Sequence, residues 1–300
     1  MTRMSRWDAT DIPDLEGRTA VVTGANSGIG LATATYLARG GARVILACRN
    51  PVRAEAAAEE VGHGAETVTL DLASLSSVAK GAAEVKAKTS QLDILINNAG
   101  LMAVDRARTE DGFEVQFGVN HLGHFAFTAH LAGPLLAAPA ARVVNVSSIG
   151  HRPGTVDFDD LMFERRRYDR WRPYFQSKLA NLLFTQELER RFEAAGARAS
   201  ALAAHPGSSS TDLGSEGHGI TNALVRLFNR LGQPASIGAL PIVRAAVDPD
   251  AKGGDFFGPQ FLFMGYPVKE KPAGRAGDSK AAWRLWEESE RLTGVRFELT

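Results

Sequence analysis

The chain has 300 residues, 44% hydrophobic and 23% charged, with 34 basic against 34 acidic side chains. The length suits one large α/β domain, and the charge balance leaves no electrostatic footprint for nucleic acid. The lone cysteine, Cys48, excludes an intrachain disulfide and fits a cytoplasmic setting, and the opening MTRMSRWDATDIPDLEG has no apolar run of signal or membrane-spanning length.

Short apolar runs alternate with helical patterns through the first two-thirds of the chain. TAVVT (19–23) reads as a buried strand, followed by a glycine-rich turn and a helix to about Arg39. RVILAC (43–48) is a second strand, and Pro51 suits the first turn of the helix after it. ETVTLDL (66–72) is a third strand, Ser74 to Lys88 a helix, and LDILINNAG (92–100) a fourth strand running into a loop. Phe113 to about Leu131 is helical, RVVNVSS (142–148) is a fifth strand, Pro173 to about Ala195 is a long helix, and RASALAAHPG (198–207) holds a sixth strand. AAWRLWEESERL (281–292) has helical apolar spacing.

This rhythm predicts a doubly wound parallel sheet in a three-layer α/β/α arrangement, with ligands at the carboxyl edge of the strands. The expected organisation is a single domain over 1–300, with excursions at 149–172 and 208–235 overhanging that edge. TGANSGIG (23–30) sets Gly24, Gly28 and Gly30 between a strand and a helix. Glycines let backbone approach a pyrophosphate, and a helix start offers it free N–H groups. Arg49 stands at the end of the second strand, where an acid would select a ribose 2′-hydroxyl. A guanidinium there suits a 2′-phosphate instead, so NADP(H) is the expected cofactor. YFQSK places Tyr174 and Lys178 one helical turn apart. Alternation puts Ser147 and Ser148 on opposite faces of their strand.

Together, TGANSGIG, Asp71, NNAG, Asn120, NVSS, YFQSK and HPG resemble the short-chain dehydrogenase/reductase family over nearly the whole chain. NHLGHF, SKLANLLFTQEL and the 26 positions from Ser148 to Tyr174 resemble its retinol dehydrogenase-like branch, related to light-dependent protochlorophyllide reductase. The resemblance implies a Rossmann fold and a tetrad. Tyr174 would be general acid or base, its pKa lowered by the Lys178 ammonium. Ser148 would donate to the substrate oxygen, and Asn120 would hold a water next to Lys178. Cofactor contacts carry over to Asn26 and Ile29 in the turn, to Asp71 and Leu72, to Asn98, Ala99 and Gly100, to Pro206 and Gly207, and to Thr211.

The expected activity is hydride transfer between NADP(H) and a carbonyl or alcohol, a small and apolar partner suggested by the greasy face of Ile220, Leu224, Leu227, Phe228 and Leu231. The rival readings are reduction of an activated C=C bond and a cofactor-binding regulator without turnover. The tetrad needs no metal, and His121 with His124 lacks further ligands of the right spacing. The chain is expected to act as a monomer or homo-oligomer. The excursion after Ser148 should sit beside the pocket mouth. Phe158, Leu161 and Met162 should anchor it, and Asp159, Asp160, Glu164 and Arg165 to Arg167 should face solvent.

Overall fold

The structure, a computed structural model, describes residues 6–208 and 233–299. Its centre is β1 (Thr19–Thr23), buried along its whole length. Next come α1 (Gly28–Arg39), β2 (Arg43–Cys48), α2 (Pro51–Val61), β3 (Glu66–Thr69), α3 (Leu75–Lys88) and β4 (Ile94–Asn97). The caps explain several boundaries: Asn50 accepts from the Arg53 N–H and Ser74 from the Ser77 N–H. Pro51 needs no partner at a first helical position. The strands pair in the order β3-β2-β1-β4 and continue through β5 (Arg142–Val146), β6 (Ser200–Ala204), β7 (Phe256–Pro259) and β8 (Pro267–Glu270). All neighbours are parallel except β7 and β8. The order reverses between β1 and β4, and such a switch point opens a crevice at the carboxyl ends of the strands.

Alternate strand residues feed opposite faces of the sheet. Val22, Leu46, Ile96 and Val144 pack with Leu37 of α1 and with Ile242 of α8 (Ala235–Val247). Val21, Ile45, Leu95 and Val143 pack with Val78 of α3, Phe125 of α5 (Gly123–His130) and Phe184 of α7 (Trp171–Ala194). The last helix, α9 (Ser279–Thr293), lies on α7 and α5. There Trp286 meets Phe125 at 5.2 Å, Phe184 at 5.9 Å and Phe297 at 4.5 Å between ring centroids. No helix among the described residues is long and apolar enough to cross a membrane.

Some elements depart from the sequence reading. The helix expected over 113–131 begins as α4 (Val115–Phe117), capped by the Glu114 carboxylate, and opens into a π-helical turn over Gly118–Leu122 before α5. A further short helix, α6 (Ala132–Ala137), follows. The long helix α7 starts two residues before Pro173, because the Asp169 carboxylate accepts the Trp171 and Arg172 N–H groups at 2.9 and 3.1 Å. Pro173 fits because a helix's first N–H groups lack internal partners anyway. β7 and β8, in a glycine- and proline-rich stretch, were not foreseen. Apart from its ends, the excursion over 208–235 lies outside the described residues, as do Thr211 and the apolar face from Ile220 to Leu231.

The aromatic cluster makes a sharp contrast between two tryptophans. Trp286 is 1% exposed and Trp283 is 53% exposed. Trp286→Ala should lower the free energy of unfolding by about 3–5 kcal/mol, and Trp283→Ala should change it by less than about 0.5 kcal/mol, both read from urea denaturation.

Candidate active site

The glycine turn leaves β1 at the switch point. Gly24 and Gly28 have φ of 65° and 56°, a region open to glycine. A Cβ on Gly24 would meet the Ala99 Cβ at 2.9 Å, and one on Gly30 would meet the Gly24 carbonyl and the Asn98 Nδ2. The turn is thus pressed against the end of β4. Ser27, at the start of α1, makes no side-chain cap, so the first N–H groups of this helix are left for a ligand. Asn26 and Ile29 flank them, half-buried. Residues of this kind fit a pyrophosphate: bare backbone, no Cβ and a positive helix end.

Around this turn stand the other expected cofactor contacts. Arg49 is exposed at the end of β2 and has no ion pair among the described residues. Beside it the Cys48 thiol is buried, and burial pushes its pKa up to about 11. Asp71 is half-buried, its carboxylate accepting the Ala73 N–H at 2.9 Å, and Leu72 packs against Gly123. Asn98, Ala99 and Gly100 line the crevice opposite the glycine turn. The Asn98 Nδ2 donates to the Thr23 carbonyl at 2.8 Å. Pro206 and Gly207 follow β6; Gly207 has φ of 71°, and a Cβ there would lie 2.5 Å from the Phe263 carbonyl.

Ser148, Tyr174 and Lys178 converge at the ends of β5 and α7. The Ser148 side chain is the polar group that acts on the Tyr174 hydroxyl. Ser147 turns the other way and donates to the Lys178 carbonyl at 2.7 Å. Tyr174 and Lys178 are both buried, and the Lys178 Nζ lies 5.9 Å from the Tyr174 ring centroid and donates to the Val146 carbonyl at 3.2 Å. Gly100 leaves room for that ammonium, since a Cβ there would sit 3.4 Å from Nζ and 3.1 Å from the Asn120 Oδ1. Gly150 does the same for the Tyr174 ring, 3.0 Å from its Cε1.

The expected lowering of the Tyr174 pKa by Lys178 is corrected here. Burial pushes Tyr174 up to about 12, and the Ser148 side chain offsets only part of this. Burial also pushes Lys178 down to about 8. Desolvation of the phenolate therefore sets the direction at Tyr174. Asn120, in the π-helical turn, uses its side chain on protein groups: Oδ1 accepts the Leu101 N–H at 2.7 Å, and Nδ2 donates to the Leu101 carbonyl and the Ser177 Oγ, each at 2.9 Å.

The excursion after Ser148 leaves through His151 and returns at Trp171. Leu161 is buried and Phe158 and Met162 are half-buried, as expected of anchors. Asp160 is not solvent-facing. It is buried and collects the N–H groups of Glu164, Arg165 and Arg166, which hold its carboxyl down at about 2. Arg166 is half-buried over the Phe163 ring at 3.9 Å. Tyr168 donates to the Glu114 Oε1 at 3.1 Å, and Gln116 donates to the Arg170 carbonyl at 2.9 Å. Sequence reasoning missed this polar knot. It also missed three histidines behind the site. His124 bridges Thr23 and Asn120. His151 donates from Nδ1 to the Ser148 carbonyl at 2.6 Å and accepts the Ala273 N–H at 3.1 Å. His205 accepts the Gly207 N–H at 3.2 Å and faces Glu270 at 3.4 Å. The NHLGHF and HPG motifs hinted at His124 and His205, and His151 lies in neither.

A dinucleotide-type turn at the switch point, with serine, tyrosine and lysine at the neighbouring strand ends, defines a class of nicotinamide-dependent oxidoreductase. A family model described as short chain dehydrogenase matches residues 18–218, and the chain belongs to that family. It is 43% identical over 295 residues to human retinol dehydrogenase 13, covering 94% of this chain and 86% of that protein. It is 40% identical over 289 residues to human retinol dehydrogenase 12, covering 95% and 89%. Among solved structures, an uncharacterised protein from Mycobacterium paratuberculosis is 45% identical with a TM-score of 0.84, covering 98% of this chain and all of that one.

The buried lysine carries a pH signature. Its folded pKa of about 8 lies below the ordinary lysine value of 10.5, so between these values the unfolded chain binds the extra proton and stability rises with pH. Lys178→Met removes this linkage. The variant's advantage in unfolding free energy should reach about 3 kcal/mol below pH 8 and shrink toward zero as pH approaches 10.5, measured by denaturation across that range.

Proposed function

We propose that this chain is an NADP(H)-dependent oxidoreductase acting on an apolar carbonyl or alcohol, with the whole chain forming one catalytic domain. The observation that carries this reading is the placement of the Ser148 and Tyr174 side chains beside each other at the strand ends, with Lys178 buried one helical turn on. One substrate oxygen can take hydrogen bonds from both hydroxyls. The names of the relatives support an alcohol or its aldehyde as the substrate class, and one buried thiol fits a cytoplasmic setting.

NADP(H) would be held by the Gly24–Gly30 turn, by Arg49 at the 2′-phosphate, by Asp71 and Leu72 near the adenine, and by Asn98 to Gly100 with Pro206, Gly207 and Thr211 along the nicotinamide half. When bound, it supplies hydride for reduction or takes it in oxidation. In the reductive direction Ser148 donates to the substrate oxygen as negative charge grows. Tyr174, kept as a neutral phenol by burial, passes its proton to that oxygen, which as an alkoxide is more basic than a phenolate. Lys178 stabilises the phenolate that remains. Asn120 holds the loop at Leu101 beside the lysine. In oxidation the same groups run in reverse, with Tyr174 as base.

Tyr174→Phe removes only the hydroxyl. Turnover of an aldehyde panel with NADPH should fall at least about a hundredfold, the scale of a lost general acid, while NADPH binding changes little. Near-normal turnover would sink the mechanism, and activity confined to enones would favour C=C reduction. Arg49→Asp should weaken NADPH and move preference toward NADH, because an acid repels a 2′-phosphate and accepts from a hydroxyl. Dissociation constants for both cofactors measure this; a wild type that already prefers NADH would overturn the reading of Arg49.

A further inference from the structure

His124 sits one helical turn past Asn120, and its ring is 2% exposed. No part of the chemistry above uses it. Its hydrogen bonds nevertheless connect the two halves of the site. On one side is Thr23, the last residue of β1. The Thr23 Oγ1 accepts the Asn98 and Ala99 N–H groups, each at 2.9 Å. Those two bonds take up both acceptor positions of the hydroxyl. Its own proton has the Ile96 carbonyl at 3.4 Å and the His124 Nε2 at 2.9 Å. The shorter contact is to the ring.

On the other side, the His124 Nδ1 lies 3.0 Å from the Asn120 carbonyl, which can only accept. Nδ1 therefore carries the proton and Nε2 receives one from Thr23. This single neutral tautomer satisfies every group in the chain. A proton on Nε2 would face a hydroxyl with no lone pair left. Burial, which pushes the ring down to about 4, acts in the same direction.

The chain does not end at Asn120. Its side chain grips both the N–H and the carbonyl of Leu101. Leu101 and Asn98 thus belong to one loop held at both ends: Asn98 and Ala99 by Thr23, Leu101 by Asn120, with His124 joining the two holders. Between them lies Gly100, the residue that faces the Lys178 Nζ. The π-helical turn assists. The Gly123 N–H reaches back five residues to the Gly118 carbonyl, widening the helix where Asn120 and the ring must face each other.

We propose that His124 is a positioning residue for the reaction, fixing the 98–101 loop between the glycine turn and Lys178 by clamping the Thr23 hydroxyl to the Asn120 carbonyl. The proposal rests on the oxidoreductase reading for its effect on turnover, but its effects on the tautomer and on cofactor binding can be read without turnover.

The test uses the full chain and four variants. His124→Phe keeps the ring volume and removes both hydrogen bonds. His124→Asn keeps a donor at the Nδ1 position, and His124→Gln keeps an acceptor near the Nε2 position. Thr23→Val removes the Thr23 hydroxyl and leaves the ring. Long-range nitrogen–proton NMR of the wild type should show His124 protonated at Nδ1 alone. NADPH titration by fluorescence should show about tenfold weaker binding in His124→Phe and in Thr23→Val, the scale of one buried hydrogen bond. The kcat for an aldehyde should fall at least about tenfold in His124→Phe and recover in His124→Asn, which restores the Asn120 contact, while His124→Gln restores NADPH affinity. A wild-type ring protonated at Nε2 would overturn the proposal. So would unchanged NADPH affinity in both His124→Phe and Thr23→Val, or equal losses in all three His124 variants, which is what filling space alone predicts. If His124→Phe fails to fold, His124→Asn and His124→Gln decide: turnover kept in the first and NADPH affinity kept in the second uphold the clamp, and equal losses in both remove it. Absence of turnover in the wild type would instead count against the oxidoreductase reading, leaving the tautomer and binding results to judge the clamp.

Discussion

β1 and β4 lie side by side, yet their onward chains leave in different directions, one into the glycine turn and one into the 98–101 loop. Diverging strand ends lose the ladder partners that a parallel neighbour would supply. Here the Thr23 hydroxyl takes the Asn98 and Ala99 N–H groups, and the Asn98 side chain takes the Thr23 carbonyl. The crevice is sutured at its floor and left open above. Everything placed for chemistry hangs from that suture: the glycine turn on one lip, Gly100 and Lys178 on the other, and Asn120 behind. Ala99 could not approach Gly24 so closely if Gly24 carried a Cβ, and one on Gly30 would strike the Gly24 carbonyl and the Asn98 side-chain amide.

Much of this layout was legible in the sequence. β1, α1, β2 and α2 stand where the apolar runs and the proline put them, because each is a short buried strand or a helix whose start, a glycine turn or a capped proline, is marked locally. The residues expected near the cofactor gather at strand ends, since a parallel sheet sends every such end to one edge. What escaped were features set by partners far away in the chain. α7 starts early on account of Asp169, which reads as one more charge in a basic stretch. The break in the 113–131 helix depends on a buried Glu114 that also meets Tyr168, 54 residues on. β7 and β8 form from a weak pattern because β6 offers them an edge. Thr211 falls outside the described residues.

The corrections at Tyr174 and Asp160 come from one physical source. Sequence spacing shows which charges are near each other, but burial decides what a charge is worth. Asp160 is buried yet strongly acidic, because three backbone N–H groups and Arg166 replace its water. Tyr174 is buried with only the Ser148 side chain to offset its desolvation, so its neutral form is favoured. In the proposed reaction, a site built this way would hold its proton until a substrate oxygen enters and changes the surroundings. That suits a proton donor whose moment of action is tied to hydride arrival, since the developing alkoxide is then the strongest base in reach.

The excursion after Ser148 belongs to the same mechanical unit as the tetrad. Its return path is pinned by Tyr168 to Glu114, whose carboxylate also caps α4 by accepting the Gln116 and Phe117 N–H groups at 3.1 and 2.7 Å. α4 leads directly into the turn that carries Asn120. At its other end, the excursion begins with His151 holding the Ser148 carbonyl and, through Nε2, the Ala273 N–H beyond β8. A change in the excursion is therefore felt at both Ser148 and Asn120, not only at the pocket rim. The 26 positions separating Ser148 from Tyr174 are in this sense a strut: they tie the end of β5 to the start of α7 and to the last strands, and in the proposed reaction they would keep the two hydroxyls at one substrate oxygen.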